Sequence, residues 1–167
     1  MALGIVGLVL SFLRCFKPIV FTDEDYLLNA KNGLALEKNP KLSFEMLQLV
    51  KSNSEEKENL LLTAAKEFIE LDELNSAVEA LGQIVMDING KDTALAQIVF
   101  LYIERDIGMA FPLIKQITKA SPLRDSCFMQ LSLECYKKGE RTRALEIALE
   151  IQDQATFERL QAAFERL

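Results

Sequence analysis

The sequence predicts an all-α fold of about four antiparallel helix pairs laid side by side, and three observations predict it. Ser43, Ala77, Ala110 and Ala144 recur at a period of about 34 residues in an apolar pattern, and that period belongs to stacked helical hairpins. Each is followed after four residues by Leu47, Leu81, Ile114 or Ala148, and after seven by Val50, Ile84, Ile117 or Ile151. That spacing keeps one helix face apolar. Only seven glycines and four prolines interrupt 167 residues, so long helices are permitted.

Three regions follow in order. Residues 1–21 are an apolar N-terminal segment, 22–156 carry the repeats, and 157–167 read as a C-terminal capping helix. The first pair spans 23–37 and 41–51, broken by Asn39-Pro40, which a continuous helix would not tolerate. Ser52-Asn53-Ser54-Glu55 reads as a capping box that opens the second pair, 55–71 and 74–86, which Asn89-Gly90 ends. The third pair covers 92–104 and 108–119. Pro112 lies inside its second helix, which is therefore expected to kink or to start late. Ser121-Pro122 opens the fourth pair with a cap and a proline where the missing amide costs nothing. Gly139 turns that pair, and the last helix follows Asp153.

Composition narrows the function. Half the residues are apolar, enough for a continuous core. Arg14 and Lys17 are the only charges before Asp23, so the rest of the chain sets 17 basic against 25 acidic side chains, a net of −8. Such a surface repels phosphate backbones, so no nucleic-acid partner is expected. There is no histidine, which removes serine–histidine and cysteine–histidine nucleophiles, histidine-bound zinc and the commonest general base. No phosphate loop and no metal-ligand spacing is present. The reading is a non-enzymatic chain with no catalytic residue, no metal and no cofactor. Cys15, Cys127 and Cys135 are scattered and odd in number, which fits a reducing compartment. Cys135 falls in an apolar column with Leu34, Phe68 and Leu101 and reads as packing. Asp23-Glu24-Asp25 and Lys137-Lys138 read as charges that complement helix dipoles.

The pattern, from the first helix pair to the fourth, resembles the tetratricopeptide repeat (TPR) family. The fourth copy carries Phe128, Leu131, Ser132, Cys135, Gly139, Ala144 and Ala148. The third gives Ala94, Gln97, Ile98, Leu101, Ala110 and Ile114, with Pro122 where the family places a proline. The second gives Leu61, Ala64, Ala65, Phe68, Ala77 and Leu81, and the first Leu27, Ala30, Lys31, Leu34, Ser43 and Leu47. No copy has the family's tryptophan, and Lys38, Asp72 and Arg105 stand where a turn glycine is usual. The resemblance implies a right-handed, TPR-like solenoid whose first helices line a concave, partner-binding groove.

It places in that groove Leu28, Asn32 and Leu36, then Leu62, Lys66 and Glu70, then Leu95, Val99 and Ile103, and last Met129, Leu133 and Lys137. Eight of these twelve are apolar. Residues 94–103 hold only Gln97 as a strongly polar side chain, and a helix apolar all round is covered all round. The groove is expected to take an apolar or amphipathic segment from a protein partner or from the chain itself. Tail-gripping by lysine, arginine and asparagine, as in some members of the family, finds only Asn32, Lys66 and Lys137 here. A soluble chaperone for a hydrophobic secreted client, similar to those that hold type III secretion translocators, is the alternative.

Residues 2–13 are uncharged and apolar, about 18 Å as a helix against the ~30 Å of a bilayer core. They read either as a membrane anchor or interfacial helix, or as a helix packed on the chain's own groove. As an anchor, the C-terminal Arg14 and Lys17 would hold the repeats in the cytoplasm or at the cytoplasmic face of a membrane. The C-terminal FERL repeat, with Phe157, Leu160, Phe164 and Leu167 in one stripe, reads as a cap on the last pair and leaves self-association open.

Overall fold

Six of the described helices begin where a side-chain oxygen, of Thr22, Asn39, Ser54, Asp87, Asp106 or Asp153, accepts a free amide of the first turn, whereas the Ser121 expected to cap the fourth pair makes no such bond. A computed structural model describes residues 21–167, and among these the chain is helical with no strand. The anchor or groove-packing segment lies outside the described residues apart from Phe21, whose ring sits 5.8 Å from that of Tyr26.

Helix α1 (Asp23–Asn32) starts at Thr22, whose hydroxyl accepts from Asp25 N–H while the Asp25 carboxylate accepts from Thr22 N–H. A π-helical turn, Gly33–Glu37, extends it. Helix α2 (Pro40–Leu49) is capped by Asn39, and α3 (Glu55–Glu70) by Ser54. Then come α4 (Leu74–Gly82), α5 (Ile88–Arg105), α6 (Ile107–Ile114), α7 (Pro122–Lys137), α8 (Arg141–Ala148) and α9 (Gln154–Phe164).

Several boundaries differ from the sequence reading. The cap before α3 is Ser54, because the amide and hydroxyl of Ser52 are both given to Asp23. Asn89-Gly90 lies in the first turn of α5, where Asp87 accepts from Gly90 N–H at 2.9 Å. Helices α4 and α6 stop before the expected 86 and 119. The apolar residues that prolonged their pattern, Ile84 and Ile117, are buried in the irregular segments that follow. Helix α6 continues only two residues beyond Pro112.

The hairpins are α1/α2, α3/α4, α5/α6 and α7/α8, and each first helix also packs on the first helix of the next pair. Helix α9 takes that position on α7, with Phe164 stacked 4.4 Å from Tyr136 and Leu160 buried. The C-terminal stripe is thus largely consumed by packing. Hairpin crossings need short side chains. Ser132 Oγ donates to Ala144 O at 2.6 Å, and a Cβ on Gly33 would fall 2.4 Å from Ser43 Oγ. Gly33→Ala alone will therefore cost about 1–3 kcal/mol by overpacking. With Ser43→Ala the nearest remaining side-chain atom is the Cβ of residue 43, at 3.6 Å, and the better helix propensity of alanine should make the same change neutral or favourable. A urea double-mutant cycle reads that coupling.

One device recurs in all four hairpins. An acidic residue in or beside the first turn of the first helix accepts backbone N–H bonds from the loop after the second helix. Asp23 takes Lys51 and Ser52 N–H at 3.2 and 2.9 Å. Glu58 takes Val85, Met86 and Asp87 N–H at 2.9, 2.8 and 2.9 Å. Asp92 takes Thr118 N–H at 3.0 Å, and Asp125 takes Gln152 and Asp153 N–H at 3.2 and 2.8 Å. The preceding carbonyl is held from the next hairpin: Lys57 Nζ donates to Val50 O at 2.7 Å and Lys91 Nζ to Ile84 O at 3.1 Å. Burial opposes the charge on Glu58, but the three amides outweigh it and keep its carboxyl below the ordinary value. For Asp23 the Ser52 hydroxyl and the loop amides have the same effect. Each clamp lets a loop end a helix without orphaned amides.

These acids also fix the register of the first helices. The interval from the acid to the small residue of the second helix is the same in the second hairpin (Glu58 to Ala77) and the fourth (Asp125 to Ala144). It is one residue longer in the first (Asp23 to Ser43) and one residue shorter in the third (Asp92 to Ala110). The extra residue of the first hairpin coincides with the π turn, as such one-residue expansions do. The third hairpin is short because Asp106 alone separates α5 from α6, capping the latter through Gly108 N–H at 3.0 Å. Lys38 (φ 47°), Asp72 (φ 64°) and Gly139 (φ 83°) turn the other three in the left-handed region. Lys38 and Asp72 therefore do occupy turn positions that glycine favours.

Candidate partner-binding groove

Because α3 and α5 pack side by side, their outward faces leave a furrow between them. The α3 wall is Lys66, Ile69 and Glu70, and the α5 wall is Gln97, Phe100, Leu101 and Glu104, around a cleft of about 540 Å³. Phe100 is 41 % exposed, unusual for a large aromatic ring, and Ile69 and Leu101 beside it are half-buried. Lys66, Glu70, Gln97 and Glu104 are exposed. Among the described residues none of these four side chains takes part in a hydrogen bond or ion pair. The furrow is an apolar floor with a polar rim whose groups face water.

The sequence-derived lines meet this furrow unevenly. Lys66 and Glu70 lie on it, whereas Leu62, one turn earlier on α3, does not line it and is half-buried near the start of α5, where a Cβ on Gly90 would come within 2.7 Å of it. The third line is corrected. Leu95, Val99 and Ile103 are 0 %, 0 % and 2 % exposed and line no groove, because α5 is covered by α3, α4, α6 and α7. The apolar surround inferred for 94–103 comes from these neighbouring helices. The hairpin one residue short moves the α5 register by one: counting back from Ala110 points to Gln97 and Leu101, whereas Gln97 is exposed, Leu101 is half-buried, and Leu95, Ile98 and Val99 form the core beside Ala94. Phe100 and Glu104, one residue beyond Val99 and Ile103, take the groove positions.

At the ends, the lines are separate from the furrow. Leu28, Asn32 and Leu36 are exposed on α1 and its π turn. Met129 and Leu133 are half-buried on α7, and Lys137 is engaged with Glu134 at 2.7 Å. Sequence reasoning missed Ile69, Phe100, Leu101 and Glu104. The signal that finds them is the acid column Asp23, Glu58, Asp92 and Asp125, whose intervals shorten by one residue at each step while those of the small residues do not.

Other chemistry is quiet. Cys127 and Cys135 are fully buried, and burial pushes the Cys127 thiol to about 12 and raises that of Cys135, so neither is a nucleophile at neutral pH. Among the described residues no group of three or more potential metal ligands occurs. No helix there is long and apolar enough to cross a membrane. A second hollow, of about 450 Å³, is lined by Glu55, Glu58, Asn59, Met86 and Asp87, but its central carboxylate is already engaged by the clamp. No family model, curated protein or solved structure matches this chain.

Proposed function

We propose that the chain is a TPR-like helical-repeat scaffold, a right-handed solenoid of four hairpins, that binds an amphipathic segment of a protein partner in the α3–α5 groove. One observation carries the reading: Phe100 stands exposed on an apolar floor between polar side chains that have no partner among the described residues. An amphipathic helix satisfies both at once, its apolar face on Phe100, Ile69 and Leu101 and its polar flanks on the rim. Covering about 200 Å² of apolar surface supplies about 5 kcal/mol before ordering costs. The packing of each hairpin on its neighbours in the chain supports the solenoid.

Display selection with a library of short amphipathic peptides tests the function. Peptides enriched on the wild-type chain should lose at least tenfold in affinity on Phe100→Asp and bind Leu145→Asp unchanged, because Leu145 is an exposed residue of α8, a second helix. Equal loss at both sites, or none at Phe100, contradicts the assignment.

A further inference from the structure

The groove has a polarity along its length. Its apolar floor lies beside Phe100 and Ile69, and its two carboxylates, Glu70 and Glu104, sit in the last turns of α3 and α5. The chain contains a segment with the matching order. Residues 2–13 carry no charge, and the next charges are Arg14 and Lys17. These are also the only two cations before Lys31 in a chain of net charge −6.

Reach is adequate. The described chain begins at Phe21, which packs on Tyr26 of α1, and α1 packs directly on α3, the near wall of the groove. Residues 14–21 span up to about 27 Å when extended, against about 24 Å from the start of α1 to the last turn of α3, the diagonal of about 10 Å between packed helices and about 22 Å along α3. Within the groove, residues 97–104 of α5 cover about 10 Å, so part of the apolar run suffices to fill it.

We propose that residues 2–17 of this chain are the groove's resident ligand, the apolar run on Phe100 and Ile69 and Arg14 and Lys17 toward Glu70 and Glu104. The inference rests on the groove being a binding site as argued above. It makes the N-terminal segment a competitor for any external partner. A partner then binds only by displacing it, and its apparent affinity falls by the fraction of chains left open.

Cys15 supplies the probe, because Cys127 and Cys135 are fully buried and their thiols stay protonated. A nitroxide placed on Cys15 of the full chain should broaden the amide resonances of Lys66, Ile69, Gln97, Phe100 and Glu104 beyond detection. Phe100→Asp and the pair Arg14→Glu with Lys17→Glu should each restore most of that intensity. The charge-reversed chain should also bind a display-selected groove peptide at least tenfold more tightly than wild type. Broadening that is absent or centred elsewhere overturns the proposal, as does co-sedimentation of the labelled chain with phosphatidylcholine vesicles and no groove broadening. If the peptide binds both chains equally, residues 2–17 are not the ligand while the groove stands. If no peptide binds either chain and broadening is absent, the groove itself is wrong.

Discussion

Val99→Asp is expected to unfold the domain, whereas Phe100→Asp, one residue along, leaves it folded. Val99 has no exposure and Phe100 is 41 % exposed. A carboxylate at 99 would be enclosed between α5 and its four neighbouring helices, a cost of about 4–5 kcal/mol or more. That is a large part of the roughly 5–15 kcal/mol that holds a typical domain together. At position 100 the same carboxylate faces water beside Gln97, and the expected loss is about 1 kcal/mol, mostly the partial burial of the ring. Helical circular dichroism against urea separates the two. Comparable unfolding by both variants would place Phe100 in the core and remove the groove's floor.

Glu58→Gln should be the next most costly change, at about 2–3 kcal/mol. Glu58 is 3 % exposed and accepts the amides of Val85, Met86 and Asp87. Glutamine offers one oxygen and turns an NH₂ toward groups that can only donate, so at least one buried amide loses its acceptor. The change carries a pH signature. Burial favours the neutral form, but the three amides favour the charged form more and hold the folded-state value below the ordinary 4.5. The unfolded chain therefore binds the proton first as pH falls. The clamp's contribution is complete above that ordinary value and is lost as pH drops through the lower, folded one. Stability of wild type against pH should fall on acidification with a component that Glu58→Gln lacks. Parallel profiles for the two proteins would mean that the carboxylate adds nothing to folding.

Much of the architecture was legible because it follows from periodicity and caps. Ser43, Ala77, Ala110 and Ala144 are all fully buried at hairpin crossings, and Val50, Ile84 and Ile117 close the core at the ends of the second helices. Asn39-Pro40, Pro122 and Gly139 mark turns where they were expected. The third groove line failed for a definable reason. An apolar run such as 94–103 carries almost no phase information, since every register buries something greasy. Phase had to be taken from Ala110, and the one-residue turn at Asp106 put it wrong by one. The Asp23 clamp was missed because acids at a helix start read as dipole partners, a sufficient local explanation that hides a bond to the loop beyond the following helix. Only the recurrence of Asp23, Glu58, Asp92 and Asp125 near the repeat period distinguishes the two.

The groove is tested most directly by the amide footprint of a display-selected amphipathic peptide on the isotope-labelled chain. Shift changes and intermolecular contacts are expected at Lys66, Ile69, Glu70, Gln97, Phe100, Leu101 and Glu104, on α3 and α5 alone. A footprint centred on the exposed Leu145 and Leu149 at α8, or on Leu28 and Leu36 at α1, would contradict it.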